Sequence, residues 1–236
     1  VAGAAVLVRE AYPHWSNAAI KSALMSTSKY TDVYNYDGTP AQPLDMGAGR
    51  LDLTHVLAPG VILDPPKVSF GAVLEGEVKT LAVRVTSVAS QSDTYRLSTL
   101  YTGNGFTQTT ALPGFTVTPT LVTLAPGESQ LISITVDASA TQGIGENQGY
   151  VVMDGEVFDA HMPVWARVSP AIPLADVLII DNDASDISPA DFGDYLGVYT
   201  ETLTALHKTY AIVNTADNFG SDVTIPSAAF MASFPA

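Results

Sequence analysis

The chain has no cysteine, and only ten lysines and arginines among 236 residues. The first absence excludes a disulfide scaffold and a thiolate metal site, although it does not fix the compartment. The second leaves 24 acidic residues largely unanswered, for a net charge of −14. Such a surface repels phosphate, so nucleic acid and anionic membrane are excluded as partners. Charged residues make up 14% of the chain, against about 25% in an average globular protein. Long apolar runs are missing too. The longest near the start, Ala4 to Val8, is far short of the ~20 residues a membrane helix needs, so no membrane insertion is expected. No basic segment or methionine precedes it, so it is not a signal peptide, and the chain is expected to begin inside a longer protein. What is abundant is apolar: hydrophobic residues are 47% of the total, the profile of a globular chain with a sizeable core.

Charge steps along the chain. Residues 1–60 carry four basic and five acidic groups, and residues 61–168 carry five and ten. Residues 169–236 carry only Lys208 against nine acids. Steps of this kind mark separate units, and the hydrophobic period changes at the same places. Residues 1–58 predict two helices, a loop and a short helix. Val1 to Tyr12 is apolar on nearly every side until Arg9 and Glu10, which predicts a buried helix. Pro13 ends it, and Ser16 is placed to cap the next helix, which runs to about Ser28. There Ile20, Ala23, Leu24 and Thr27 form one inward stripe. The short helix is expected over Leu51 to Leu57.

From residue 62 the period drops to 2. Leu81, Val83 and Val85 alternate with polar or small neighbours, as do Ile132, Ile134 and Val136, and then Phe158, Ala160, Met162, Val164 and Ala166. Shorter runs are Val68–Phe70, Tyr95–Tyr101, Phe115–Thr118, Val122–Leu124 and Tyr150–Met153. Seven or eight short strands with turns between them predict an antiparallel β-sandwich, with Asp154-Gly155 as a type I′ hairpin turn. Pro170 to Pro173 reads as a linker. Beyond it, Val177 to Ile180 is a continuous apolar run, as in a strand buried on both faces. Helical spacing over Tyr195 to Leu206 and a second strand over Tyr210 to Val213 predict the start of an α/β unit. The chain is expected to stop before such a sheet is complete.

Several stretches are more specific than period and charge. The opening Val1-Ala2-Gly3 resembles the end of the Gly-Thr-Ser-Met-Ala-x-Pro-His-Val-Ala-Gly motif of subtilisin-like serine proteases, or subtilases. Tyr12-Pro13-His14-Trp15-Ser16, continuing through Ile20-Lys21-Ser22-Ala23-Leu24-Met25-Ser26-Thr27-Ser28, is similar to the helix that follows it in that family. Pro43 to Asp52, with Gly47-Ala48-Gly49, resembles the family's Gly-x-Gly closing segment, and Pro59 to Pro65 resembles the exit into the next domain. Ordered matches of this kind are more specific than any one alone. Phe70-Gly71-x-Val73, Gly114 to Pro119 and Leu124 to Ser129 are similar to the turns of a fibronectin-III-like sandwich, which often follows the catalytic domain in large subtilases. Residues 176–236 resemble a partial α/β domain found after the sandwich in some bacterial members.

The resemblance implies a multi-domain, mainly β chain. Residues 1–60 would be the C-terminal helical fragment of a subtilase catalytic domain. Residues 61–169 would be a fibronectin-III-like antiparallel sandwich, and residues 174–236 a partial strand-helix-strand unit. It also implies that the catalytic Asp, His and Ser all precede Val1, since that is their order in the family. On this reading no catalytic residue lies in the chain, which is inactive by itself as a structural or substrate-access module of an extracellular, bacterial serine endopeptidase. Its partners would be the rest of the protease domain and that enzyme's protein or peptide substrates. No cofactor is implied, with a structural calcium ion the one metal left open. The alternative is a free-standing binding or adhesion module with no protease activity.

Some residues invite other chemistry. His14, Ser16 and Asp45 can be gathered into a triad by eye, but a triad is recognised by geometry, and Ser16 sits where a cap belongs. Asp181, Asp183 and Asp186 follow a buried strand, where carboxylates hold metals or ligands, or form a solvated acidic loop. Tyr95, Tyr101, Phe106 and Phe115 offer a carbohydrate platform, against a plain role in packing. His161 and His207 have no partner at ligand spacing, and His55 is expected on the surface of a short helix.

Overall fold

The structure is a computed structural model, and it describes residues 1–107, 110–170, 175–181 and 195–214. The chain divides into two compact units, Val1–Ser169 and Pro170–Ala236.

Three helices open the first unit: α1 (Ala2–Ala11), α2 (Asn17–Ser26) and the short α3 (Pro43–Met46). Nine strands follow: β1 (Val61–Asp64), β2 (Val68–Leu74), β3 (Val78–Ser87), β4 (Asp93–Leu100), β5 (Phe115–Thr118), β6 (Leu121–Leu124), β7 (Ser129–Asp137), β8 (Gly145–Gly155) and β9 (Ala160–Ser169). They form two sheets, in the orders β1-β3-β7-β5 and β2-β9-β8-β4-β6. Between the sheets lies one core that includes Val83, Val85, Ile132, Ile134, Val136, Met162 and Val164, all fully buried. The fold is a mainly β sandwich with few helices.

Several local expectations need correction. The sandwich is not wholly antiparallel, because β2 pairs with β9 in parallel. Alternation shows which face of a strand is buried but not which way its partner runs. Leu81 is 42% exposed, although it shares a face with Val83 and Val85. The reason is that β1 covers the flank of β3 only from Arg84 to Ser87, which leaves Leu81 at an open rim. Phe158 is half-buried and precedes β9, although it still packs on the core.

The Asp154-Gly155 pair ends β8 and makes no two-residue turn. A type I′ turn needs positive φ at both central residues, and neither has it. The connection is instead 156–159, held by the buried Asp93. Its carboxylate accepts the backbone N–H groups of Glu156 (3.0 Å), Val157 (3.3 Å) and Phe158 (2.9 Å). Finally, Leu51–Leu57 forms turns and no helix, because Asp52 takes the N–H and hydroxyl of Thr54 at 2.8 and 2.5 Å. Side chains that compete with the backbone in this way favour turns over helices. The short helix lies at α3, where Pro43 stands in the first turn and Asp45 accepts the N–H of Gln42 at 2.9 Å.

Residues 1–60 dock on the outer face of the five-stranded sheet. Ser16 caps α2 as expected, accepting the N–H of Ala19 at 3.1 Å. Ser22, fully buried on α2, accepts the N–H of Leu63 at 2.7 Å. Gln148 of β8 accepts the N–H of Leu44 at 2.7 Å, and the Tyr150 hydroxyl donates to the carbonyl of Gly47 at 3.2 Å. As a result β9 is buried on both faces from Ala160 to Val164. The joint itself is tight. Gly60, at φ +69°, sits where an added Cβ would fall 2.5 Å from Phe158 Cβ and 2.9 Å from the Tyr95 hydroxyl. Helix α1 is the exception to this burial. Only its Ala4 and Val8 are buried, while Val6 and Leu7 are 66% and 48% exposed. Val8, Ile20 and Val56 form a small second core, backed by Tyr12 stacked on Trp15 at 4.0 Å.

The second unit contains β10 (Val177–Asp181), α4 (Leu196–Ala205) and β11 (Tyr210–Asn214), with β10 and β11 paired in parallel. This is the strand-helix-strand order expected. Asp176 closes the start of the pair by accepting the N–H and the hydroxyl of Thr209, each at 3.0 Å. Burial on both faces of β10 is not found: Val177 to Ile179 are half-buried and Ile180 is exposed.

Candidate functional site

Where residues 1–60 meet the sheet they leave a cleft of about 800 Å³. Its walls come from the end of α2 and the residues after it (Ser26, Ser28, Tyr30), from the turn holding His55, and from the outward faces of β4, β8 and β9. Asp154 and Asp159 stand at its edge. Burial pushes the Tyr30 phenol above its ordinary range, and the charges of Asp159 and Asp154 add to the rise.

His161 is the most constrained ionisable group of this cleft. It is 3% exposed and lies 4.0 Å from the Tyr30 ring and 5.6 Å from the Tyr150 ring, centre to centre. Its Nε2 is 2.7 Å from the carbonyl oxygen of Ala48. A carbonyl only accepts, so Nε2 carries the proton and donates it there. Burial holds the imidazole down to about 4, outweighing the carbonyls of Ala48 and Ser26, which favour the charged form.

Ser28 Oγ lies 3.4 Å from the same Nε2, which gives a serine beside a histidine. The pair is not a nucleophile and base. A base must present a free nitrogen lone pair to the hydroxyl, whereas this Nε2 is a donor already used by Ala48. Ser28 Oγ is itself 2.8 Å from the Met25 carbonyl and 2.7 Å from the Ala48 carbonyl. Among the described residues no carboxylate forms an ion pair with the ring, and both residues are largely buried in the wall of the cleft. The arrangement binds two layers together.

The residues singled out from the sequence are not gathered into a site. Ser16 is taken up by its cap and Asp45 by Gln42 and Asn35, while His14 is exposed on the loop between α1 and α2. Of the four aromatics, Tyr95 and Phe115 are in the core, Tyr101 packs against it, and Phe106 meets Tyr34 edge-on at 5.4 Å. Asp181 is buried at the end of β10, whereas Asp183 and Asp186 lie outside the described residues. Among the described residues no three His, Asp or Glu side chains come close enough to hold a metal ion. His55 is exposed on a turn, its Nδ1 3.3 Å from Asp52 Oδ2. Asp52 is held down to about 2, chiefly by the hydrogen bonds from Thr54.

The His161 contact is the feature that sequence reasoning missed. Strand parity puts His161, Pro163 and Trp165 on the face away from the core. Three such residues in a row are too apolar for an open face, and that signal marks a covered one.

No family model matches the chain. Over 69 residues it is 41% identical to subtilisin-like protease SBT5.5 of Arabidopsis thaliana, and it is 41% identical over 69 residues to subtilisin-like protease SBT3 of Solanum lycopersicum. Each match spans 27% of this chain and only 9% of the relative. Both relatives are from plants, which lends no support to the bacterial source expected above. Among solved structures, an ASH/PapD-like domain of human CEP192 aligns with 48% of this chain and 87% of its own length, at 17% identity and a TM-score of 0.35. So low a score carries no argument, and the fold rests on the strand pairing itself. About a quarter of the chain is therefore similar to a short part of subtilisin-like proteases, in keeping with a C-terminal subtilase region.

Proposed function

We propose that this chain is the non-catalytic C-terminal portion of an extracellular subtilisin-like serine endopeptidase. Residues 1–60 complete the helical layer of the protease domain, and the sandwich is a rigid module fastened beneath it that shapes the approach of substrate. Hydrolysis of the peptide bond belongs to a Ser-His-Asp triad upstream of Val1, and this chain contributes no group to it.

One observation carries this reading: the unequal treatment of the two sides of the α1–α2 pair. One side is fastened to the sandwich by Ser22, Ser28 and His161. The other is an apolar groove of about 580 Å³ lined by Val1, Ala5, Val6, Ile20, Leu24 and Met25. A helix pair anchored on one side and bare on the other is what remains when a larger domain is divided at that layer. The likeness to subtilases over about a quarter of the chain supports taking that domain to be a subtilase catalytic domain.

The test compares two proteins on a chromogenic peptide and on a serine-reactive probe. The chain alone should show no turnover and no labelled serine. A longer product of the same gene, reaching upstream through Asp-, His- and Gly-Thr-Ser-containing segments, should show both. If the gene product begins at Val1, the chain is a free-standing binding module instead. If the chain alone turns over peptide with a labelled serine, the non-catalytic assignment is wrong.

A further inference from the structure

The seam between residues 26–48 and the sheet is made largely of groups that do not titrate near neutrality: the Tyr150 and Gln148 hydrogen bonds and the Tyr30 ring. His161 is the exception. It projects from β9 into the seam and holds the Ala48 carbonyl on the far side. We propose that this contact is an acid-sensitive clamp: neutral His161 keeps residues 26–48 seated on the sheet, and its protonation unseats them while the sandwich stays folded.

The surroundings of the ring make protonation costly in the seated state. Nε2 already carries a proton, so a second one goes to Nδ1, on a ring packed beside Tyr30 and Tyr150. A buried imidazolium needs a partner with negative charge. Ser26, Ser28 and Ala48 supply only dipoles from the residues packed against the ring. Tyr30, on the segment after α2, and Tyr150, on β8, are both pushed upward by burial and stay neutral at acid pH. The carboxylates nearest these phenols are Asp45 of α3, Asp154 of β8 and Asp159 before β9. None of them pairs with the imidazole. His55 is exposed on the other wall of the cleft and is already turned to Asp52.

The folded-state value of His161 lies near 4, below the ordinary 6.5. The contact therefore contributes its full stability above about 6.5, and loses it progressively as the pH falls towards 4. With those two values the unseating equilibrium rises about 70-fold between pH 7.5 and 4.5. The inference concerns how the two layers are held and does not depend on the protease assignment.

Hydrogen exchange on the full chain, corrected for intrinsic rates, tests it. At pH 4.5 the amides of Ile20–Ser28 and Ala48–Arg50 should open tens of times more readily than at pH 7.5, while Ser133–Val136 should not change. His161→Gln keeps a donor for Ala48 but cannot titrate, and should remove the pH dependence. Should that variant fail to fold, the imidazole C2–H resonance of the unaltered chain decides: it should titrate below about 5, in step with the opening. Three results would overturn the clamp. One is pH-dependent opening that persists in His161→Gln. Another is a His161 titration near 6.5 while the segment stays protected. The third is sandwich amides that open in parallel.

Discussion

The sandwich and the helical segment before it share one compact unit, yet they satisfy their apolar residues in different ways. The sandwich closes on itself. Both of its sheets are present, and Ile132, Ile134, Val136, Met162 and Val164 are wholly out of water. The helical segment is covered less completely. Its second core is three buried residues with a few half-buried ones around them, and α1 leaves Val6 and Leu7 in solvent. Both stretches are written in apolar residues. What separates them is how completely each is covered, and at about 25 cal/mol for each Å² left in water that difference weighs on local stability.

Five substitutions sharpen the contrast, beginning with the most damaging. Ile134→Ala in the middle of β7 should cost about 2–5 kcal/mol in a denaturant titration, because it opens a cavity in a closed core. Its neighbour Thr135→Ala loses only the hydroxyl contact with Thr80 and should cost little; equal losses at the two positions would contradict the two-faced strand. Ser22→Ala comes next. It leaves the buried N–H of Leu63 without an acceptor, a loss of about 1–3 kcal/mol. That loss should appear as faster exchange in α2 more than in β7. Uniform destabilisation would mean that segment and sandwich open as one. Ser16→Ala removes the cap of α2 at about 1 kcal/mol, read in the same exchange experiment as fraying of Asn17–Ile20. Smallest of all, Val6→Ser should change the stability of this chain by less than about 0.5 kcal/mol. In a longer protein carrying the protease domain the same change should be far more costly. A large effect in this chain alone would show that α1 has found a cover of its own.

Much of this contrast could be read from residue order. Strict alternation placed the strands and their inward residues, Ser16 and Pro13 marked the break between α1 and α2, and the helix between two apolar runs pointed to the strand-helix-strand unit. The misreadings share a physical cause. Whether an apolar face is covered depends on what stands opposite it, and local pattern is silent about that. Leu81 has the right parity but lies beyond the end of β1. Helix α1 is apolar all round, yet most of it faces water. His161 has the parity of a solvent-facing residue, but a helical layer covers it. No triad formed from His14, Ser16 and Asp45, because each was already employed locally or left on a loop.

That β9 is walled in on both faces has a consequence for synthesis. A ribosome makes residues 1–60 first, but the strand they rest on comes last in the sandwich. His161 emerges more than a hundred residues after Ala48, its partner across the seam. At ~5–20 residues per second the helices wait on the order of ten seconds, with Val6, Leu7 and the future seam all open to the cell. Until the last strand arrives, the nascent helices lack the floor that they rest on in the folded chain.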